Sequence, residues 1–327
     1  MNIYYHPQYN ISLGLLNYLH PFDGRKFSRV FKTIKGLNDI NIKQPEYPVS
    51  QKIINNFVGE IQRRLLHRKR YILRALEIPY IPLLPFSIID KRILLPMRWG
   101  VGGTIAATTD ALKDNNAWNL AGGYHHATPR NSQGFCIYND IGIALQEASA
   151  AGLISETDKI LIVDVDAHHG NGNAYTFMDN QNVTILDIYN NDVYPQNNLT
   201  KERVNINVPL AAGAEGSQYN EALKNALGEL KSDYRIAYVI AGTDVLASDP
   251  LGGLGLSVPE CVERDKMVYE KLLSLSIPTV FVGGGGYSSE SAQAIIESIK
   301  CLHRLDEPES TRVSGIHPFS GFQFMPE

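Results

Sequence analysis

Short apolar runs that stop abruptly at glycine or at a charged or polar residue recur along this chain, and they constrain its fold more than any other feature. They occupy residues 3–5, 117–121, 159–165, 183–188, 236–241 and 279–282. Between most of them lie segments with helical periodicity, at 141–151, 219–230, 259–275 and 292–302. Short, largely apolar runs suit strands buried on both faces, and their alternation with helices predicts an α/β fold with a helix-flanked, mainly parallel sheet. Ligands of such sheets bind beyond the carboxyl ends of the strands, where this chain's polar and glycine-rich motifs fall. Before residue 100 the alternation weakens. The pattern there predicts a long helical stretch over 49–76, followed by a proline-interrupted apolar loop over 78–96. No glycine- or serine-rich linker divides the chain, so one domain is expected.

The sharpest motif is an apolar strand running into Asp164-Val165-Asp166-Ala167-His168-His169-Gly170-Asn171. Two carboxylates and an imidazole at every second position share one face if the backbone stays extended. Such a group is costly to bury without an ion, and two oxygens plus one nitrogen suit a borderline divalent cation such as zinc. The competing reading is that Asp and His merely cap a following helix. Asp244 ends another apolar run and could supply the third ligand, leaving one position of a tetrahedral site open. His125 and His126 follow Gly122-Gly123, and Tyr287 follows four glycines, Gly283 to Gly286. Consecutive glycines carry a large entropic cost and mark a tight functional turn. The run lacks the Lys and Ser/Thr of a phosphate loop.

Charge is uneven. Residues 1–100 hold 16 Lys/Arg against 6 Asp/Glu, although the whole chain is net −4. Basic residues interleaved with apolar ones read as the solvated face of amphipathic helices, with an acidic partner as the alternative. Arg63-Arg64 and Arg68-Lys69-Arg70 have no aromatic platform between them, so direct nucleic-acid binding is not expected. Three scattered cysteines argue against a disulfide framework and for a reducing compartment. With no signal-like start and no span of about 18 apolar residues, the expectation is a soluble cytoplasmic protein.

Taken in order, Gly122-Gly123-Tyr124-His125-His126, Gly134-Phe135-Cys136, Asp164-Val165-Asp166-Ala167-His168-His169-Gly170, Asp244 with Asp249-Pro250, and Gly283 to Tyr287 resemble the histone deacetylase superfamily over nearly the whole chain. His20-Pro21-Phe22-Asp23, Asn171 and the run from Thr243 to Leu256 are similar to its class IV branch. The resemblance implies one arginase-like catalytic domain over 1–304, with a central sheet of about eight strands, and a C-terminal tail over 305–327 of unknown role. It implies one zinc, held by Asp166, His168 and Asp244, polarising an amide carbonyl and activating water. One metal is expected rather than the arginases' two, because Leu246 stands where their second Asp ligates. His126 would serve as general base and acid, and His125, oriented by Asp164, as the second histidine. Tyr287 would stabilise the oxyanion, while Gly123 and Phe135 line the channel for the lysine stem. His20 and Asp23 would touch substrate at the rim, although Pro21 and Asp23 could equally start a helix. A structural potassium beside Asp164 and Asp187 is also implied.

One departure concerns Asn171, which stands behind His126 where many relatives carry aspartate. A neutral amide orients the ring but stabilises imidazolium less, which predicts a lower working pKa for His126. The implied substrate is an acetyl- or fatty-acyl-lysine protein or peptide. Residues 78–86 read either as the wall of an acyl pocket or as an ordinary buried loop. The alternatives are a small-molecule deacetylase of polyamine type, which would need acidic residues at the channel mouth, and a silent acyl-lysine-binding scaffold, against which the intact motif set argues.

Overall fold

Ile160 to Val163 are all buried, and so are Ile236 to Val239 and Val280 to Val282, which places these runs inside a sheet covered on both faces. The computed structural model describes residues 1–11, 23–37, 40–113 and 116–306. Its strands are β1 (Asn2–Tyr4), β2 (Asn41–Lys43), β3 (Ala117–Asn119), β4 (Lys159–Asp164), β5 (Val183–Asn190), β6 (Ile206–Leu210), β7 (Tyr234–Ile240) and β8 (Thr279–Val282). They form one eight-stranded sheet in the order β2-β1-β3-β8-β7-β4-β5-β6. Every pairing is parallel. The expected α/β sheet is therefore present, and parallel throughout. Two strands are absent from the sequence reading. β2 is a partly exposed edge of three residues, and β6 is half-buried, so neither carries a continuous apolar run.

The middle of the sheet matters most. β3, β8, β7 and β4 lie side by side, and their carboxyl ends open into the loops that hold His125-His126, the glycine turn with Tyr287, Asp244, and Asp166 with His168. Four motifs far apart in sequence thus meet at one edge.

One face of the sheet buries Trp118, Leu161, Val163, Val239 and Phe281. Against it stand α1 (Lys26–Ile34), α10 (Gly216–Gly228), α11 (Val258–Ser274) and α12 (Ser291–Asp306). Ser257 and Glu260 close a capping box at the start of α11, satisfying amides that would otherwise be orphaned. The opposite face buries Ile160, Ile162, Tyr238 and Val280 beneath α6 (Leu95–Ala111) and α7 (Asp140–Ala150). The remaining helices are α2 (Gln51–Phe57), α3 (Glu60–Leu65), α4 (Lys69–Ala75), α5 (Phe86–Ile89), α8 (Asn171–Thr176) and α9 (Asn198–Arg203). The first four of these flank a third core that includes Ile54, Ile72, Ile93, Met97 and Ile143.

The N-terminal third departs from expectation in two ways. The helical stretch over 49–76 is three short helices, because Val58 and Gly59 turn extended before α3 and Arg68 does so before α4. The apolar loop is also shorter than expected. Helix resumes at Phe86 and continues through a π-turn, Asp90–Leu94, into α6. Pro96 sits in the first turn of α6, directly after this widened turn, where a missing N–H is tolerated. α6 contains three glycines that a propensity reading penalises by about 1 kcal/mol each. Close packing outweighs that cost: a Cβ at Gly103 would run into Tyr9 Oη and the Asn119 amide.

Candidate functional site

β4 ends at Asp164, whose backbone lies opposite Asp187 on one side and Ile240 on the other. The chain then carries Asp166 and His168 past the sheet edge, while β7 delivers Asp244. One side-chain ligand atom from each of Asp166, His168 and Asp244 falls within 4.8 Å of the other two. His168 Nδ1 lies 2.8 Å from Asp244 Oδ2 and 3.2 Å from Asp166 Oδ1. Those spacings approach the roughly 3.4 Å edge of a tetrahedron built on zinc bonds of about 2.1 Å. Both carboxylates are buried, Asp166 and Asp244 each at 0% exposure. Burial alone would raise both, but His125 and His168 hold Asp166 well below the ordinary carboxylate range. Burial and the neighbouring Asp166 charge push Asp244 up to about 6. Burial opposes a proton on His168, yet Asp166 and Asp244 hold its affinity well above the usual value. Two carboxylates and one imidazole, dry and crowded, fit a divalent cation in spacing and in charge.

The loops are cross-braced. Ala167 N donates to Asp244 Oδ1 at 3.0 Å and Gly285 N to Asp166 Oδ2 at 2.6 Å. Thr243 N donates to Gly285 O at 3.0 Å. The glycine turn must lie this close, since a Cβ at Gly285 would strike the Asp244 carboxylate. Tyr287 N donates to Asp249 Oδ2 at 2.7 Å, which ties the tyrosine to the loop carrying Asp244.

The histidine pair sits opposite. His125 Nδ1 donates to Asp164 Oδ2 at 2.8 Å, and His126 Nδ1 to Asn171 Oδ1 at 2.7 Å, because those oxygens can only accept. The rings lie 4.1 Å apart. Burial opposes a charge on His125, but Asp164 and Asp166 raise it to about 9. Burial, then the charges of His125 and His168, push His126 well below its ordinary value. With Nδ1 protonated and the ring neutral, His126 Nε2 is left as the basic nitrogen. Burial and the Asp244 and Asp166 charges push the Tyr287 phenol well above its ordinary value, so it remains a donor.

His125, His126, Gly123, Phe135, Asp166, His168 and Tyr287 line one cavity. Phe135 and Tyr287 form an edge-to-face pair 5.7 Å apart, and Tyr194 stands edge-on to His126 at 5.2 Å. Asp164 and Asn171 lie behind the histidines rather than in the cavity. Asp23 is not brought to the site: it accepts from Arg25 N at 3.0 Å and pairs with Arg29, so it organises the start of α1. His20 lies outside the described residues.

Several contributors escaped the sequence reading. Asp140 accepts from Gly123 N, Tyr124 N and Thr104 Oγ1 at 3.0, 2.8 and 2.7 Å, fixing the turn before the histidines. In sequence it looks like an ordinary first-turn acid of α7. Lys26 is buried and donates to the carbonyls of Gly284, Gly285 and Gly286 at 3.2 to 3.3 Å. Arg264 is 0% exposed. It pairs with Asp265 at 2.8 Å and donates to Val165 O at 3.0 Å and Gly242 O at 2.5 Å, bracing from beneath the loops that carry Asp166 and Asp244. A lone cation on an amphipathic helix gives no sequence signal that it points inward. The cavity also extends beyond the motifs, walled by Ile11, Phe27, Leu76, Ile78, Ile93 and Met97. Of the loop 78–86, Ile78 alone reaches it, whereas Leu83 is 93% exposed.

Known proteins resemble both the sequence and the fold. Histone deacetylase 2 of Arabidopsis thaliana is 32% identical over 308 residues, covering 93% of this chain and 79% of the relative. The acetoin utilization protein AcuC of Bacillus subtilis is 31% identical over 209 residues, covering 57% of this chain and 51% of AcuC. Among solved structures, the HDA15 HD domain superposes with a TM-score of 0.72 at 20% identity, over 94% of this chain and 91% of the other. A deacetylase homologue from Aquifex aeolicus gives 0.71 at 22% identity, over 92% and 83%. The model of the histone deacetylase domain matches residues 20–301, which contain every motif gathered at this sheet edge. By that match and by the long alignment with the Arabidopsis relative, this chain belongs to the histone deacetylase family.

Proposed function

We propose that this member of the family is a zinc-dependent lysine deacylase of the class IV type, acting on acetyl- or longer fatty-acyl-lysine in peptides and proteins. The observation carrying the proposal is the convergence of Asp166, His168 and Asp244, the first two of which line a cavity with Tyr287 and the histidine pair. Zinc held there would supply a Lewis acid for the scissile carbonyl and a more acidic water. His126, neutral and oriented by Asn171, takes the water proton on Nε2 and returns it to the leaving amine. His125, kept charged by Asp164, adds positive charge beside the developing oxyanion. Tyr287 donates to that oxygen, an interaction worth about 3 kcal/mol. The lysine stem would run along Gly123 and Phe135, both of which line the cavity. The apolar extension walled by Phe27, Ile78, Ile93 and Met97 favours a long acyl chain over acetyl alone. Asp187 Oδ1 is buried without a hydrogen-bond partner, an orphaned oxygen that suits the potassium expected beside Asp164.

Turnover of acetyl- and myristoyl-lysine peptides, with metal content measured alongside, tests the reading. The metal and the activity should both be lost in Asp166→Ala. A protein far faster on acetyl-lysine would remove the fatty-acyl preference, and one active without metal would remove the mechanism. A second reading, small-molecule deacylation, draws on Glu77, an acid at the channel mouth beside Tyr194 and Leu251. An acetylated diamine turned over faster than any peptide, and slowed by Glu77→Gln, would favour it.

A further inference from the structure

The chemistry above leaves the positive charge of the first hundred residues unused. From Glu60 to Arg98 stand nine Lys/Arg against three Asp/Glu, in a chain of net −4. Arg63, Arg68, Arg70, Arg74, Lys91 and Arg92 are all exposed. The same stretch concentrates protruding apolar groups. Among the described residues seven large hydrophobic side chains are exposed, and four of them are here: Ile61 at 76%, Tyr80 at 52%, Leu83 at 93% and Ile88 at 40%. Scattered exposed leucines need no explanation, but a cluster interleaved with cations does.

The protrusion is a built feature. Lys69 Nζ donates to the carbonyls of Ile81, Pro82 and Leu84 at 3.1, 2.7 and 3.2 Å, holding the loop from within. Lys69 and Arg70 also stack on Tyr80, at 4.8 and 5.8 Å from the ring centre. An apolar tip flanked by guanidinium and ammonium groups is therefore held outward. The loop's base reaches the site, where Glu77 lines the channel mouth and Ile78 the inner cavity.

An acidic protein segment would match the charges but leave Leu83 and Ile88 without partners. A purely apolar partner would strand the cations. Interfacial binding to an anionic bilayer uses both, with side chains at the acyl boundary and cations among the headgroups. We propose that the segment over 79–88, a loop running into the start of α5, with the basic helices beside it, docks the protein on an anionic lipid surface and sets the channel mouth next to that surface. The proposal does not depend on the acyl preference argued above, and vesicle binding reads it without any activity.

The test is co-sedimentation of the full chain with phosphatidylcholine vesicles, with and without about 30% phosphatidylserine. Binding should require phosphatidylserine and should weaken severalfold as salt rises from about 0.1 M to about 0.5 M, because headgroup attraction is screened. Leu83→Asp should weaken it at least tenfold, and Arg70→Glu with Arg92→Glu should do the same. These side chains are exposed, and unchanged melting temperatures would verify the variants' folding. Absence of binding to anionic vesicles would overturn the proposal. So would equal binding by Leu83→Asp, or capture of polyglutamate by a protein that ignores vesicles.

Discussion

The two halves of this molecule reach the same cavity by different means. From Ala117 onward, functional side chains stand within a few residues of strand ends, and the sheet itself sets their spacing. Among the described residues through Ala111, the chain forms short or broken helical pieces and two edge-side strands, and brings no residue of the Asp166, His168 and Asp244 cluster. It still supplies Lys26 beneath the glycine turn and the apolar walls Phe27, Ile78, Ile93 and Met97. The difference teaches that the candidate catalytic groups stand where backbone hydrogen bonds fix geometry, while the apolar walls of the cavity come from helix packing.

The largest test of this division is Tyr287→Phe, which removes one donor from the strand-end half. kcat should fall about 10²- to 10³-fold with little change in fold or metal content. A fall of less than fivefold would mean that the oxyanion is held elsewhere. Arg264 probes whether that half depends on hidden bracing. Arg264→Met leaves Asp265 buried and uncompensated, so it should cost about 3 kcal/mol of stability and weaken metal binding about 10- to 100-fold. Adding Asp265→Leu should restore the melting temperature without restoring metal affinity. Restoration of both would reduce Arg264 to a packing role.

On the N-terminal side, Met97→Trp should narrow the apolar extension. We expect about a tenfold loss on myristoyl-lysine peptide and little change on acetyl-lysine. Equal losses on both would show that this wall does not select the acyl group. The smallest effect expected is on pH dependence. In the proposed mechanism His126 serves as a base only when neutral, and burial with two charged neighbours keeps its proton affinity low, so activity should persist on the acid side. Asn171→Asp adds a carboxylate at 2.7 Å that favours imidazolium. The acid limb of the pH–rate profile should move up by about one unit, lowering activity near pH 6 relative to pH 8. A limb that stays put would separate Asn171 from the proton transfer.

Legibility followed the same divide. Four of the strands at the centre of the sheet were readable because both faces are buried, which leaves a largely apolar run. β2 and β6 were not, since partly exposed strands lose that signature. Over 49–76 the apolar period persisted through the breaks at Gly59 and Arg68, so three helices read as one. Asp23 lay beside a plausible rim motif, but a local ion pair with Arg29 claimed it. Lys26 fell among the basic residues read as a solvated face, and Arg264 carried no motif, yet both are buried.

By itself the sequence determined the strand-and-helix alternation, the strand-end positions of Asp166, His168, Asp244, His126 and Tyr287, and so the kind of chemistry to expect. Those features follow from local periodicity and from residue types too costly to bury without a purpose. Only the tertiary structure decided that β3, β8, β7 and β4 lie side by side, that Arg264 and Lys26 brace the loops from below, and that Ile93 and Met97 extend the cavity. Neighbour choice in a parallel sheet, and the inward turn of a lone cation, depend on contacts between residues far apart in sequence, which no local pattern encodes.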